Sequence, residues 1–428
     1  MRCRLSYLLV TTALVAMPTS LCAQGLSVVI NQLFTFGDCG EPLCLDLGPS
    51  SIHGNHFIPA VTQGNETVIG FLTQSIGKST ANLPISATSS GTTFRIVGGL
   101  PVRTSTSAGP IYAERSQTLG QGRFFVGANV SGVSFSSLNG APLSDLGFTF
   151  SHEDVGNPGL GDPVLENDFI TTRVALDVNV QVAALFATVG VTDFIDLGVA
   201  VPFVRTAVSG TSDAQINPFG PVAVHNFNGD TLNPVLRATS AAAGSAAGLG
   251  DVVGRVKINL GQGAKAGVAL LSDVRLPTGK EEDLLGAGSA SIRGLAIIAL
   301  QFGTVSPHVN VGYAARTDTL QTDAVLGTLG FDALLADWFT FAFDMVSEWQ
   351  VGGNPLQLPG PIVFTQPFDR QLPSTTIPTK REDILNASLG AKFTVRGGMV
   401  LVVNGLIPLL RTGMQPDYVW TAGLEYAF

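Results

Sequence analysis

The sequence predicts an all-β chain: a transmembrane antiparallel β-barrel of about 12 strands, with an N-terminal extension placed to plug the lumen. Three observations predict it. Charged residues make up 13% of the 428 residues and mean hydropathy is +0.34, yet beyond the N-terminus no apolar run approaches the 18 or more residues of a membrane helix. The best run, residues 399–410, is interrupted by Asn404 and Gly405. Apolar residues recur at every second position from about Arg123 onward, the period of a strand with two unlike faces. Connections alternate between very short and long, as turns and outer loops of a barrel do.

In chain order, Arg2 and Arg4, an apolar stretch over 5–17 and a small-residue region over 20–23 read as a signal peptide, 1–23, with the mature chain starting near Gln24. Acylation at Cys22 is disfavoured by bulky Leu21 before it. Residues 24–120 form the extension, and 121–428 the barrel. Cys39 and Cys44, in an oxidising compartment, are expected to form a small disulfide loop. Val68, Ile69, Phe71, Leu72 and Ile76 predict a short helix over 67–76 ended by Gly77. The extension is read as a partial plug; the alternatives are a periplasmic segment or added strands at 92–97 and 111–115.

The twelve strands fall near 122–136, 170–190, 194–208, 248–260, 263–276, 288–302, 305–316, 323–334, 338–350, 384–394, 397–410 and 417–428. In the last, Tyr418, Trp420, Leu424, Tyr426 and Phe428 share a face against Thr421, Gly423 and Glu425. Phe339, Phe341, Phe343 and Met345 oppose Thr340, Asp344 and Glu348 in the same way. Val174, Leu176, Val178, Val180, Val182 and Phe186 are assigned to lipid, and Arg173, Asp177, Asn179 and Gln181 to the lumen. Aromatic-rimmed apolar faces against small polar ones suit a barrel in lipid better than a soluble sandwich, whose outer face would be rich in Lys and Glu. Terminal Phe428 is read as an assembly signal.

Tight turns near 192–193, 261–262, 303–304, 336–337 and 396–397 alternate with longer segments at 139–167, 209–247, 277–287, 316–322, 352–382 and 411–415. Short turns then face the periplasm, and an even strand count returns both barrel ends there.

The inward face is expected to carry Arg173, Arg255, Lys257, Lys265, Arg275, Arg293 and Lys392 against Asp177, Asp196, Asp273, Asp332, Asp344, Glu348 and Glu425, with His308 among them. Seven positive against seven negative charges give little net field, so strong ion selectivity is not expected, and pairing across neighbouring strands is the simplest role for them. No metal is expected: His53 and His56 lack a third ligand, and the acidic stretch His152, Glu153, Asp154, Asp162, Glu166 and Asp168 reads as a solvated loop. Lys280 to Asp283 follow Pro-Thr-Gly without the glycine pattern of a phosphate loop, so no cofactor is expected. No nucleophile is singled out beside His308, so an enzyme is not expected. A formal charge of −9 offers no footprint for nucleic acid.

Residues 189–204 (VGVTDFIDLGVAVPFV), 248–260 (GLGDVVGRVKINL), 273–288 (DVRLPTGKEEDLLGAG) and 306–313 (SPHVNVGY) carry a family resemblance. From about residue 110 to its end the chain resembles the outer-membrane β-barrel transporter family of the phenol-degradation MetA-pathway type. The resemblance implies a passive channel or facilitator for small hydrophobic or aromatic solutes, in the outer membrane of a double-membraned bacterium. It brings no catalytic residues. The partners expected are outer-membrane lipid and lipopolysaccharide, barrel-assembly machinery and small solutes. A structural or surface-interaction barrel without transport is the alternative, and an outer-membrane enzyme the second.

Overall fold

The computed structural model describes residues 25–37, 40–45, 57, 59–81, 94–97, 100–103, 107–154, 159–162, 164–317, 321–353, 358–395 and 398–428. The expected signal peptide, Cys39, His53 and His56 lie outside the described residues; Cys44 is buried and disulfide-bonded.

Twelve antiparallel strands close on themselves: β1 Phe124–Leu138, β2 Phe169–Gly190, β3 Ile195–Asn217, β4 Val253–Gln262, β5 Ala266–Arg275, β6 Ser291–Leu300, β7 Val305–Arg316, β8 Ala324–Ala336, β9 Phe339–Gln350, β10 Ile384–Thr394, β11 Met399–Pro408 and β12 Met414–Ala427. Each pairs with its neighbours in sequence, and β12 pairs with β1 to close the ring. Closure pairs the first strand with the last, so neither is left as an open edge, the condition for strands to cross lipid. The outer face is greasy: Leu197, Val199, Phe203, Leu270, Val311, Leu329, Leu389, Val403, Trp420 and Leu424 are all exposed. We call the end holding Phe124, Phe428 and the short turns the turn end, and the opposite one the loop end.

The wall is not even. A tilted strand needs 9–11 residues to cross a bilayer, but β2 and β3 have 22 and 23. Their excess rises past the loop end. There β3 leaves β4, with which it pairs only over Ile195–Ala200, and pairs instead with the strand Arg237–Leu249, which continues through 250–252 into β4. Leu146–Ser151 adds to the other side of β2. Residues 209–247 are therefore largely strand and not a loop, because Ala, Ser and Gly alternating over 238–248 make a face smooth enough to take a helix.

That helix is α1, Leu26–Gln32. A Cβ on Gly244 would sit 2.8 Å from Val29 Cγ2, so only glycine lets the helix seat here. Ser240 Oγ donates to the Gln32 carbonyl at 2.7 Å, and Ser212 Oγ to that of Leu33. A second helix, α2, runs Pro59–Ala81. It is longer than the sequence suggests: Pro59 suits a first turn, and Gly77 lies inside the helix and does not end it, since tertiary packing of Val68, Phe71, Leu72 and Ile76 outweighs its poor propensity.

Both helices fill the loop-end interior. Phe34 meets Phe148 and Phe150 edge to face at 5.8 and 5.9 Å, and Val174, Leu176, Val178, Val180 and Val182 line the same core. This corrects the reading of β2. Those residues, and Phe186 nearer the turn end, point inward, whereas Arg173, Asp177, Asn179 and Gln181 point outward into solvent. The period was right and its sign inverted, because this half of the strand stands outside lipid around an apolar core of its own. Phe94–Val97 and Leu100–Arg103 pair only with each other, and 111–115 is not a strand.

Candidate functional site

Below the helices, residues 107–119 thread through the barrel toward the turn end. They have no regular structure, so their backbone groups need partners from the wall. Inward side chains supply them. The Asp344 carboxylate accepts the backbone N–H groups of Ile111, Tyr112 and Ala113 at 3.3, 3.1 and 3.4 Å. Asn310 Oδ1 accepts Glu114 N–H at 2.7 Å while its amide donates to the Glu114 carbonyl at 3.1 Å. Asp196 accepts Leu119 N–H at 3.0 Å, and Thr340 Oγ1 accepts that of Ala108 at 3.0 Å. A side chain at Gly390 would collide with Ile111, which fixes how close the segment lies to β10.

The segment also brings charges. Glu114 pairs with Arg255 at 2.6 Å and Lys257 at 2.9 Å. Arg115 pairs with Asp332 at 3.1 Å, and Ser107 Oγ bonds the same carboxylate. His308 bridges the two acids, Nε2 at 2.6 Å from Asp344 and Nδ1 at 3.7 Å from Asp332. Lys392 and Glu425 pair at 3.2 Å beside them, both buried. Such charges tolerate burial because each has an opposite partner and further hydrogen bonds.

Between this floor and the helices lies a cavity of about 230 Å³. Arg255, Asp273, Arg275, Arg293, Arg316 and Glu348 line it together with Tyr112, Phe186, Leu295, Leu326 and Val346. Arg255 Nε donates to Asp273 at 2.8 Å, Arg293 reaches the same carboxylate, and Arg316 pairs with Glu348. A second cavity of about 100 Å³ joins it toward the loop end, beside Lys78, Gln321, Glu382 and Gln415. The two share Arg316, Glu348, Ile384, Asn386 and Leu406. Outside the wall near this mouth, the Asp323 carboxyl is held below its ordinary range by hydrogen bonds from the Arg316 backbone N–H and the Tyr313 hydroxyl.

Of the residues assigned to the lumen from sequence, the structure puts Asp196, Arg255, Lys257, Asp273, Arg275, Arg293, His308, Asp332, Asp344, Glu348, Lys392 and Glu425 inside. Three are elsewhere. Arg173 is on the outside of β2 and pairs with Asp145, and Asp177 is beside it, bonded to Asn179, for the reason given above. Lys265 is exposed in the tight turn before β5, where the alternation has already stopped. The sequence reading missed Ser107, Glu114 and Arg115, because an irregular segment has no period to read. It also left Arg316, read as the shared end of a strand and a longer segment, out of the lumen-lining residues, although it ends β7 and lines the cavity. The stretch read as a solvated loop is partly buried: His152, Glu166 and Asp168 are enclosed, the rings of Phe57, His152 and His225 pack against one another, and Asp168 lies 2.8 Å from His225 Nδ1. Among the described residues no cluster of three or more His, Cys, Asp or Glu is arranged to hold a metal.

No family model matches the chain, and no curated protein matches it. Solved structures do. An outer-membrane channel from Pseudomonas putida F1 is 11% identical, with 73% of this chain and 98% of that one covered, at a TM-score of 0.44. A FadL homologue from Pseudomonas aeruginosa is 9% identical over 71% and 89%, at 0.31. The TodX monoaromatic hydrocarbon channel, as a deltaS2 mutant, is 11% identical over 71% and 88%, at 0.27. These are distant likenesses and carry no function across.

Proposed function

We propose that the protein is a passive outer-membrane channel for small hydrophobic or aromatic solutes, gated by its own residues 107–119. One observation carries the reading: two cavities joined at shared lining residues lead inward from the loop end, and noncovalent contacts of a single irregular segment floor them. A solute entering beside Lys78 and Glu382 passes Arg316 and Glu348, reaches the central cavity and meets Tyr112 and Glu114. Passage requires the segment to shift. The lipid-facing belt and Phe428, stacked on Phe124 at 5.7 Å and Tyr426 at 5.6 Å, support placement in the outer membrane, beside lipopolysaccharide, through the barrel-assembly machinery. Catalysis is not part of the reading: Ser107 gives its hydroxyl to Asp332, and His308 faces two carboxylates, so these groups form no nucleophile and base pair.

The test is conductance of purified protein in planar bilayers. Asp344→Ala removes the acceptor of three backbone N–H groups, each charge-assisted bond being worth about 1.5–3 kcal/mol. It should raise conductance at least tenfold over wild type, and deletion of 25–119 should raise it further. Folded Asp344→Ala barrels that insulate as wild type does would overturn the gate.

A further inference from the structure

The two ends of the N-terminal extension lie at opposite ends of the barrel. Ser27 N–H donates to the Glu282 carbonyl, in the long connection between β5 and β6, and Lys78 near the end of α2 lines the outer cavity beside Gln321, Glu382 and Gln415. All of these are at the loop end. At the turn end, Leu119 N–H is held by Asp196, Thr118 Oγ1 donates to the Asp193 carbonyl at 2.7 Å, and Gly122 N–H donates to that of Gly190 at 2.8 Å, just before β1 begins. The ring around them is closed, since β12 pairs with β1. The chain therefore runs from the loop end down inside the wall and only then builds it. Chemistry excludes a path beside the wall: an irregular backbone has no partners in hydrocarbon, whereas in the lumen Asp344, Asn310 and Thr340 accept its N–H groups. With short turns facing the periplasm, residues 25–81 stand across the outer membrane from the compartment that holds the turns.

We propose that the barrel carries the N-terminal part of its own chain outward through its lumen and displays residues 25–81 on the cell surface. Residues 107–119 are the stretch left in the lumen when passage ends. This activity goes beyond solute passage and is independent of whether the finished barrel conducts. Passage precedes the folding of α1 and α2. The central cavity of the finished barrel, about 230 Å³, has room for on the order of fifteen waters. That is too little for a helix pair whose packed core includes Phe34, Phe71 and Leu72. Charge pairing stops the movement: Glu114 rests between Arg255 and Lys257, and Arg115 against Asp332. A slip of one residue in one direction puts Arg115 against Arg255 and Lys257, and in the other puts Glu114 against Asp332. Like charges would then meet in a buried site, so the segment rests in one register.

The experiment places an epitope tag ahead of Gly25 and, in separate chains, in the exposed loop-end turn 230–233 or at Lys265 in a tight turn. Antibody binding to intact cells is compared with binding to permeabilised ones. The N-terminal and 230–233 tags should be reached equally in intact cells, and the Lys265 tag at least tenfold less until the membrane is opened. An N-terminal tag reached only after permeabilisation, while the 230–233 tag needs none, would overturn display; exposure of the Lys265 tag instead would overturn it together with the placement. If the tagged chain fails to assemble, Gln32→Cys, at an exposed position of α1, labelled with a membrane-impermeant maleimide, decides by the same comparison. A second pair of chains reads the route. A small domain folded by a disulfide, fused with the tag ahead of Gly25, should hold the tag inside, and replacing its two cysteines by serine should raise surface binding at least tenfold. Surface exposure of the oxidised domain, or retention of the serine form where the tag alone is displayed, would overturn passage through the lumen. Neither measurement involves conductance, so a barrel that stays insulating after Asp344→Ala sinks the channel and leaves display standing.

Discussion

Two halves of one hairpin, β2 and β3, present opposite chemistry on the same face. Toward the turn end the outer face carries Leu185, Leu197, Val199 and Phe203, while the inner face carries Phe186, Thr188, Asp196 and small residues. Toward the loop end the outer face carries Arg173, Asp177, Gln181, Arg205 and Asp213, and the inner face Val174 to Val182 and Val208. The exchange happens within one register step, between the pairs Ala183 with Phe203 and Gln181 with Arg205. Alternation says only that a strand has two faces. Which face is apolar depends on what stands on each side: lipid outside the lower half, the helices inside the upper one. The upper half is built as a soluble protein, the lower as a membrane one.

If so, deletions should act differently in the two halves. The largest effect belongs to the loop-end core. Phe34 is fully buried against Phe148 and Phe150, so Phe34→Ala should cost about 3–5 kcal/mol. Proteolysis should then cut within residues 25–81 while the barrel keeps its heat-dependent shift on gel electrophoresis. Loss of the whole barrel instead would show that the halves fold as one unit. Next comes the lipid belt. Leu424→Arg, on an exposed face of β12, should cost about 2–4 kcal/mol near the bilayer midplane, read from urea titration of folding into vesicles. Thr211→Arg, on the outer face of upper β3, should change stability by no more than about 0.5 kcal/mol. Equal costs at both sites would erase the distinction.

How legible was this from the sequence? Strand existence was almost entirely legible, because twelve stretches of sustained period two with tight turns between alternate strands leave little freedom in topology. For β12, with Trp420, Leu424 and Tyr426 outside and Thr421 and Glu425 inside, face assignment was legible too, since aromatics and carboxylates leave one orientation in lipid. It failed for β2, where valines served a core whose other half, Leu26 to Ile76, lies a hundred residues upstream. The strand Arg237–Leu249 was hidden because its Ala and Ser on both faces give no hydropathy contrast. The floor of the cavity was illegible for a different reason. Glu114 and Arg115 sit in a segment with no period, and only the closed wall around it reveals that Arg255 and Asp332 are waiting there.

The finest question is where along the hairpin lipid ends, and a substitution of small effect addresses it. Gln181 is exposed on the outer face one step above the last apolar pair. If lipid stops at the Ala183 and Phe203 row, Gln181→Leu exchanges one water-facing side chain for another. Its effect on vesicle folding should then stay within about 0.5 kcal/mol. If lipid reaches this row, the leucine moves from water into hydrocarbon on folding and stabilises by about 1.5 kcal/mol or more. Two residues span about 7 Å along a strand, so the sign and size of this one change locate the membrane boundary to that distance. A neutral result leaves Gln181 and Arg205 in the headgroup region or above it, where a glutamine and a guanidinium side by side are at home; a stabilising one moves the soluble half of the wall up by one step.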